Sequence, residues 1–379
     1  MAHFWKFLLG SLATALLGYA AIVALTGLIL PWRPTFFDGF VTLHDQPSWT
    51  NDTRYFMINE SMLASPGQHV VIVGASTSRD PFRPEVMAPA LNGWQVANAS
   101  LSGAPVRQLA DTIDMIYNEK KVSGPSKTVF VFCLTYLQVL PYSKGAPIEN
   151  PLSLDAERMG MFARDASGRL VPQYPNAVEQ MLALALRPQA IVASWPPRLF
   201  KWAFENDSFP VARRFADRLR AKDAGSQWVK YLGEHPDQDA VIIPPDMQRA
   251  LLAQRLAGFD GDRPIGDEEI KRLGAVLRMI RAHGDGAVIV DLPLPNWHRV
   301  GAKQADHSFE TGMRGLVAGF NGDPQVGYIS LRDFDGDTNF IDSGHPKPRM
   351  WPLMSRALAS RLLPYLRDDA AAPARPATR

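Results

Sequence analysis

The feature that most constrains this chain is an uncharged apolar stretch, FLLGSLATALLGYAAIVALTGLIL, from Phe7 to Leu30. As a helix rising about 1.5 Å per residue, it covers the roughly 30 Å of a hydrocarbon core. The stretch exceeds the roughly 7–15 residues of a signal-peptide core, and it ends in Leu-Pro-Trp-Arg instead of a small-residue cleavage site. We therefore expect one N-terminal transmembrane anchor over residues 1–31.

The charges that flank this stretch favour one orientation. Lys6 precedes it, whereas Arg33 is soon offset by Asp38 and Asp45. Because basic residues stay on the cytoplasmic side, we expect a short cytoplasmic stub and an extracytoplasmic soluble body.

Composition excludes several classes of function for that body. Lys and Arg number 40 and Asp and Glu 38, for a net charge of +2, so the basic excess of a nucleic-acid-binding protein is missing. The single cysteine, Cys133, rules out an intramolecular disulfide, a multi-cysteine zinc site and an iron–sulfur cluster. We expect Cys133 to be a core residue, because it lies in an apolar run.

Short β-branched runs alternate with helical patterns along the soluble body. The predicted strands are His69–Val73, Trp94–Ala97, Thr128–Leu134, Ala287–Leu292 and Tyr328–Leu331. Such βαβ alternation predicts a doubly wound α/β fold with a parallel sheet.

A stretch of different character interrupts this alternation. Its segments Val178–Leu186, Ile191–Phe204 and Val211–Leu232 predict helices broken by prolines. We accordingly divide the chain into the anchor (1–31), a connecting segment (32–66), a first core part (67–140), a helical insertion (141–265), a second core part (266–367) and a disordered tail (368–379).

Open α/β sheets bind ligands beyond the carboxyl ends of their strands, so the residues that follow each strand are candidates for chemistry. Ser76 follows the first strand in Gly74-Ala75-Ser76. A serine on this turn can act as a nucleophile, and it can equally be a helix cap. Ser78 is an alternative nucleophile.

A second candidate element stands just before the last predicted helix, where Asp342 and His345 form an Asp-x-x-His sequence. This spacing lets the carboxylate accept from one imidazole nitrogen while the other serves as a base toward a serine. Together with Ser76, these residues meet the requirement for nucleophile, base and orienting group.

These elements resemble the SGNH (GDSL-type) hydrolase superfamily. Gly74-Ala75-Ser76 is similar to its first block, with Ala75 in place of the usual Asp; Asn98 to Gly103 is similar to its second block, and Asp342 with His345 to its last. The resemblance implies an oxyanion hole formed by the backbone N–H groups of Ser76 and Gly103. The third block lacks its Gly-x-Asn-Asp, which leaves Thr135 and Gln138 as possible stand-ins for the side-chain donor.

Within that superfamily, the single span, the insertion and the late Asp-x-x-His resemble the membrane-anchored D-alanyl transfer (DltD) family. This resemblance implies a bacterial inner-membrane protein with a periplasmic catalytic domain and no cofactor. It also implies transfer or removal of an acyl group, acetyl or D-alanyl, on an envelope polysaccharide. The implied partners are a polytopic membrane-bound O-acyltransferase and a glycan or acyl-carrier substrate. A lysophospholipase or thioesterase acting on lipids, and a non-catalytic assembly protein of an O-acylation complex, are the alternatives.

Weaker candidates remain around this core. Arg79, Asn296 and His298 stand where they could contact substrate, although a salt bridge for Arg79 and a proline-stiffened loop for the other two are open alternatives. Asp333, Asp335 and Asp337 alternate as in a calcium loop, but the glutamate of an EF-hand is missing, so we expect no metal site. The basic helix of residues 213–222 could contact anionic lipid headgroups.

Overall fold

A computed structural model describes residues 2–29, 66–100, 104–106, 109–110, 112–114, 116–117, 126–140, 162–164, 170–174, 176–186, 188 and 236–366 of the chain. The chain forms two compact units. The first contains residues 1–64, 111–123 and 149–223, and the second contains residues 65–110, 124–148 and 224–379.

The labelled elements follow one another in this order: α1 (Ala2–Ile29), β1 (Gly67–Gly74), α2 (Ser76–Arg79), α3 (Pro84–Met87), β2 (Gln95–Asn98), β3 (Ser126–Leu134), α4 (Tyr136–Val139), β4 (Phe162–Arg164), β5 (Leu170–Pro172), α5 (Ala177–Ala185), α6 (Pro236–Ala240), α7 (Pro245–Ala257), α8 (Asp267–Ala282), β6 (Gly286–Asp291), α9 (Asn296–Gly301), α10 (Lys303–Ala318), β7 (Val326–Ser330) and α11 (Trp351–Leu362).

The first unit contains the long apolar helix α1. Its segment His3–Thr26 has 24 residues and a mean hydropathy of 2.0, which makes it long and apolar enough to cross a membrane. In the same unit, β4 and β5 pair as a short antiparallel hairpin. The predicted helix at Val178–Leu186 is confirmed as α5, which begins after the cap residue Asn176.

The second unit is built on a five-stranded, all-parallel sheet with the order β2-β1-β3-β6-β7. All five predicted strands are confirmed, within a few residues at their ends. The strand order reverses direction between β1 and β3. Such a switch point opens a crevice at the carboxyl ends of the two strands, where α/β sheets bind ligands.

Both faces of the sheet are buried. Val70 and Ile72 of β1 point into a core cluster that includes Met354 and Leu358 of α11, and the intervening Val71 and Val73 are also fully buried. This explains why the strands are almost continuous apolar runs instead of alternating ones. The lone Cys133 belongs to the same cluster, as expected for a core residue.

Two long helices of the second unit each bury one apolar face. In α8, three acidic residues occupy the first turn, and Leu273, Leu277 and Ile280 are buried. In α11, Met354, Leu358 and Leu362 are buried. The acidic first turn of α8 complements the positive end of its helix dipole.

Several expectations fall on residues that are not described. These are most of the connecting segment, the helices expected at 191–204 and 211–232 with the basic residues 213–222, and the tail 368–379. Within the segment 141–265, which the sequence predicts to be helical, the described residues also include the β4–β5 hairpin.

Candidate active site

Ser76 stands at the carboxyl end of β1, at the switch point of the sheet. The strand ends at Gly74, Ala75 is extended, and Ser76 begins α2. A Cβ atom at position 74 would lie 2.2 Å from Ser78 Oγ and 2.5 Å from the carbonyl oxygen of Cys133. Only glycine therefore fits where the chain turns, and this close turn presents a half-buried Ser76 at the crevice.

The loop that carries Asp342 and His345 meets Ser76 there. His345 Nε2 lies 2.8 Å from Ser76 Oγ, and His345 Nδ1 lies 2.7 Å from Asp342 Oδ2. With Nδ1–H donating to the carboxylate, Nε2 is left to accept the hydroxyl proton of Ser76. The three predicted catalytic residues thus form one continuous hydrogen-bonded chain, although Ser76 and His345 are 269 positions apart.

The second oxygen of Asp342 organises the loop. Its Oδ1 accepts hydrogen bonds from the backbone N–H groups of Gly344 and His345, both at 2.8 Å. Burial raises the pKa of Asp342, but the hydrogen bond and charge of His345 and the two backbone donors outweigh it and lower the pKa to about 2. The carboxylate is therefore ionised at neutral pH and can stabilise an imidazolium.

Ser78, the alternative nucleophile, does not take part in the hydrogen bonds that join Ser76, His345 and Asp342. It is fully buried, and its Oγ lies 2.8 Å from the carbonyl oxygen of Ala75 and 2.9 Å from Ser100 Oγ. The structure brings Ser76, and not Ser78, to His345.

Backbone donors for an oxyanion are present beside Ser76. As the first residues of α2, Ser76 and Thr77 have N–H groups without intrahelical acceptors, and no side chain caps them. Such donors can face the charge that develops on a carbonyl oxygen during attack. Gly103, the other predicted backbone donor, lies outside the described residues.

Asn98 holds this turn in place, a role that its place in the second block did not reveal. It is buried, and its side-chain nitrogen lies 3.0, 3.1 and 2.7 Å from the carbonyl oxygens of Ser78, Arg79 and Phe82. The end of β2 is thereby tied to the helix that begins with Ser76.

Thr135 and Gln138, the possible stand-ins for the missing Asn, form the capping box of α4. Gln138 Oε1 accepts from the Thr135 N–H at 2.6 Å and from the Thr135 hydroxyl at 2.9 Å. The Thr135 hydroxyl is therefore occupied by the cap, which argues against its use as an oxyanion donor. These bonds also fix the orientation of the Gln138 amide, leaving its two N–H groups as the candidate donors.

His298, a weak candidate for substrate contact, is a buried side chain with partners on both sides of its ring. It is fully buried, its Nδ1 bonds to the carbonyl oxygen of Ser343, and its Nε2 bonds to the Tyr136 hydroxyl. Burial, together with the charges of Arg255 and Arg299, lowers its pKa to about 4 against the opposing effects of Ser343 and Asp306. With both ring nitrogens occupied, this neutral imidazole has no polar atom left for a substrate and instead supports the loop of Asp342 and His345.

The other two weak candidates lie at the surface. Arg79 pairs with Asp80 at 3.0 Å, in agreement with the salt-bridge alternative. Asn296 is exposed at the start of α9.

The carboxylates that resemble a calcium loop have three separate partners. Asp333 pairs with Arg361 at 2.7 Å, Asp335 with Arg299 at 2.5 Å, and Asp337 accepts from the Trp297 N–H at 3.3 Å. In the described part of the chain, no three His, Cys, Asp or Glu side chains are grouped so that they could hold a metal ion. Asp335 and Arg299 instead fix the loop that leads to His298, since Asp335 Oδ1 also accepts from the Leu294 N–H at 2.9 Å.

Comparison of the sequence with known proteins does not identify a family for this chain. No protein-family model matches the chain, and no curated protein matches its sequence.

Proposed function

We propose that this protein is a membrane-anchored serine acyltransferase or esterase of the SGNH type, which moves or removes an acyl group on a cell-envelope polysaccharide. The observation that carries the proposal is the continuous chain Ser76–His345–Asp342, with contacts of 2.8 and 2.7 Å. A serine, a base and an orienting carboxylate in hydrogen-bond contact are the arrangement that activates a hydroxyl for attack on an acyl carbonyl.

The geometry suggests the following reaction. Ser76 Oγ attacks the acyl carbonyl while its proton passes to His345 Nε2, and Asp342 stabilises the imidazolium. The N–H groups of Ser76 and Thr77 stabilise the oxyanion, and the Gly103 N–H implied by the SGNH resemblance and the Gln138 amide are the further candidate donors. The leaving alcohol or thiol takes the proton from His345, which leaves an ester on Ser76. A hydroxyl of the acceptor, or water, then attacks this ester with His345 as the base, so that Ser76 is regenerated.

The resemblance to the SGNH superfamily and the DltD family supports an acyl group of the envelope as substrate. The long apolar helix α1 supports an anchor in the bacterial inner membrane, and Lys6 before it supports a periplasmic active site. Tethering raises the effective concentration of the enzyme beside a membrane-bound O-acyltransferase and its glycan or acyl-carrier substrate. It therefore favours transfer over hydrolysis.

The test is active-site labelling of the full chain with a fluorophosphonate probe. Wild type and Ser78→Ala should be labelled, and Ser76→Ala should not. Ser78→Ala is the matched control, because it removes a neighbouring hydroxyl that does not meet His345. Labelling that persists in Ser76→Ala would contradict the assignment.

Substrate class is tested separately with ester panels. We expect hydrolysis of acetyl or aminoacyl esters by the wild type, and its loss in Ser76→Ala. Activity confined to long-chain esters would instead indicate the lipid esterase. If a variant lacking Ser76, Asp342 and His345 together still supported polysaccharide modification in cells, the protein would act as a non-catalytic assembly component.

A further inference from the structure

A hydrogen bond connects the apolar helix α1 to α5 of the same unit. The hydroxyl of Tyr19 donates to the carbonyl oxygen of Ala185 at 2.7 Å. Tyr19 lies seven residues before Thr26, the last residue of the segment that is apolar enough to cross a membrane, and this separation is about 10 Å along a helix axis. If α1 crosses a bilayer, the end of α5 at Ala185 is therefore held below the level at which α1 leaves it.

The packing of α1 agrees with this depth. Val23 and Thr26, on the same face as Tyr19 at helical spacing, are 6% and 0% exposed. Earlier residues of α1, such as Leu12 and Leu17, are 55% and 72% exposed. Among the described side chains of α1, the two that are buried thus lie near its C-terminal end, where the helix would meet one surface of the membrane.

Helix α5 presents an apolar stripe on its outer side. Val178, Leu182 and Leu186, spaced by four residues, are 68%, 60% and 82% exposed. Leu182 and Leu186 also line a groove of about 410 Å³ together with Tyr174, Glu179 and Ala183. A contiguous exposed stripe of large apolar side chains marks a surface that meets something other than water.

The polar groups along the contact have partners that do not require water. The Tyr19 hydroxyl bonds to a carbonyl in the last turn of α5, which has no acceptor role within that helix. In α1, the hydroxyls of Thr14 and Thr26 bond to the carbonyl oxygens of Gly10 and Ile22 at 2.9 and 2.7 Å. Internal satisfaction of this kind is what the apolar part of a bilayer demands.

We propose that α5 is an interfacial helix, embedded in the membrane leaflet beside the C-terminal end of α1, with Val178, Leu182 and Leu186 against lipid acyl chains. This proposal rests on the membrane anchor of the proposed function. The depth of about 10 Å at Tyr19 matches the 5–10 Å to which the apolar faces of interfacial helices are buried. Glu179 borders the stripe in the first turn of α5, at the end of the helix away from Ala185.

We infer that lipid covers the stripe because α5 lies beside the apolar helix α1. The stripe belongs to a helix bonded to α1, and Leu16, Ile22 and Leu25, within six residues of Tyr19 on α1, are 59%, 49% and 50% exposed. Acyl chains that surround α1 at this level would therefore also meet α5.

The experiment is spin labelling of the full chain in phosphatidylethanolamine–phosphatidylglycerol nanodiscs. Nitroxides are attached to Leu182→Cys and, in a second variant, to Leu186→Cys. Native Cys133 is fully buried, so the unsubstituted chain provides the labelling background. Leu12→Cys on α1 is the lipid control. Ile242→Cys in the second unit is the aqueous control, since Ile242 is also a highly exposed aliphatic side chain, at 83%.

We expect the ratio of oxygen to nickel-chelate collision rates at positions 182 and 186 to be several-fold higher than at 242, and close to that at 12. A lipid-like ratio at 12 with a water-like ratio at 182 and 186 would overturn the placement of α5 and leave the anchor intact. A water-like ratio at 12 would overturn the anchor itself. Labels at 182 and 186 that collide with neither reagent would indicate a protein partner and would also refute contact with lipid.

Discussion

The buried imidazole of His298 is hydrogen-bonded through Nδ1 to the backbone carbonyl of Ser343, the residue that follows Asp342 in the loop bearing His345. On its other side, Nε2 bonds to the hydroxyl of Tyr136, which begins α4 after the strand β3. The element after β3 and the loop with the Asp-x-x-His sequence are thus connected through one neutral ring. Because this ring is hydrogen-bonded to Tyr136 and Ser343 and not to Ser76 or His345, we regard His298 as a positioning residue.

We predict that His298→Ala lowers kcat by about 10²-fold, the effect expected when a catalytic group is misplaced by about 1 Å. KM should stay close to that of the wild type, because the side chain does not contact substrate. His298→Asn should recover part of kcat, since its amide can still donate toward Ser343. Steady-state kinetics on an ester substrate checks both. If His298→Ala lost thermal stability but kept the kcat of the wild type, His298 would stabilise the fold without positioning the catalytic residues.

The buried His298 also predicts a dependence of stability on pH. Its pKa is about 4 in the fold and 6.5 in the unfolded chain, so the folded state binds fewer protons between these values. The free energy of unfolding should therefore fall as pH drops from 6.5 to 4, by on the order of 3 kcal/mol in total. Urea titrations of wild type and His298→Asn in detergent across this range measure the difference. Parallel pH profiles of the two proteins would contradict the prediction.

For Asp342 we predict that Asp342→Asn leaves the loop folded but reduces kcat by roughly 10⁴-fold, because an amide favours the wrong tautomer of His345. Fluorophosphonate labelling should slow in parallel. Asp333→Asn is the matched control, since Asp333 is half exposed and pairs with Arg361 away from Ser76. It should retain the activity of the wild type. Equal activities of the two variants would show that Asp342 does not orient His345.

The proposed resemblance to SGNH hydrolases lacks the asparagine of the third block, and this gives a prediction for Gln138. Gln138→Glu keeps the acceptor oxygen that caps Thr135 but removes the amide donors. If the amide faces the oxyanion, kcat should fall by about 10²–10³-fold, the cost of losing one such donor. Thr135→Ser, which retains a capping hydroxyl, is the control and should stay active. An active Gln138→Glu variant would leave the oxyanion to backbone donors.

Much of the framework was predictable because its signals are local. A run of β-branched residues closed by Gly74 predicts a buried strand wherever it lies in the fold, and the five strands follow the sequence closely. The contact of Asp342 with His345 is also local, since three residues of one loop bring the carboxylate to the ring. The length of the apolar stretch in α1 likewise needs no tertiary information.

The roles of individual polar side chains were not predictable in this way. Ser76 and Ser78 are two residues apart and chemically alike, and only the turn after β1 determines which hydroxyl meets His345. His298 follows a strand and a proline-stiffened loop, a position that suggests a substrate contact. Its ring instead turns inward, because Tyr136 and the Ser343 carbonyl provide partners there.

The sequence by itself determined the apolar helix, the order of strands and helices along the chain, and the identity of three residues able to form a triad. The tertiary structure alone decided that they meet, because Ser76 and His345 are 269 positions apart and follow β1 and β7. Only the parallel pairing of β1 with β3, of β3 with β6 and of β6 with β7 brings the loops after these two strands to one edge of the sheet. The helix-capping role of Thr135 and the packing of α5 on α1 are likewise known only from the tertiary structure. Local preference specifies what an element is, whereas contacts between distant elements depend on packing that no short segment encodes.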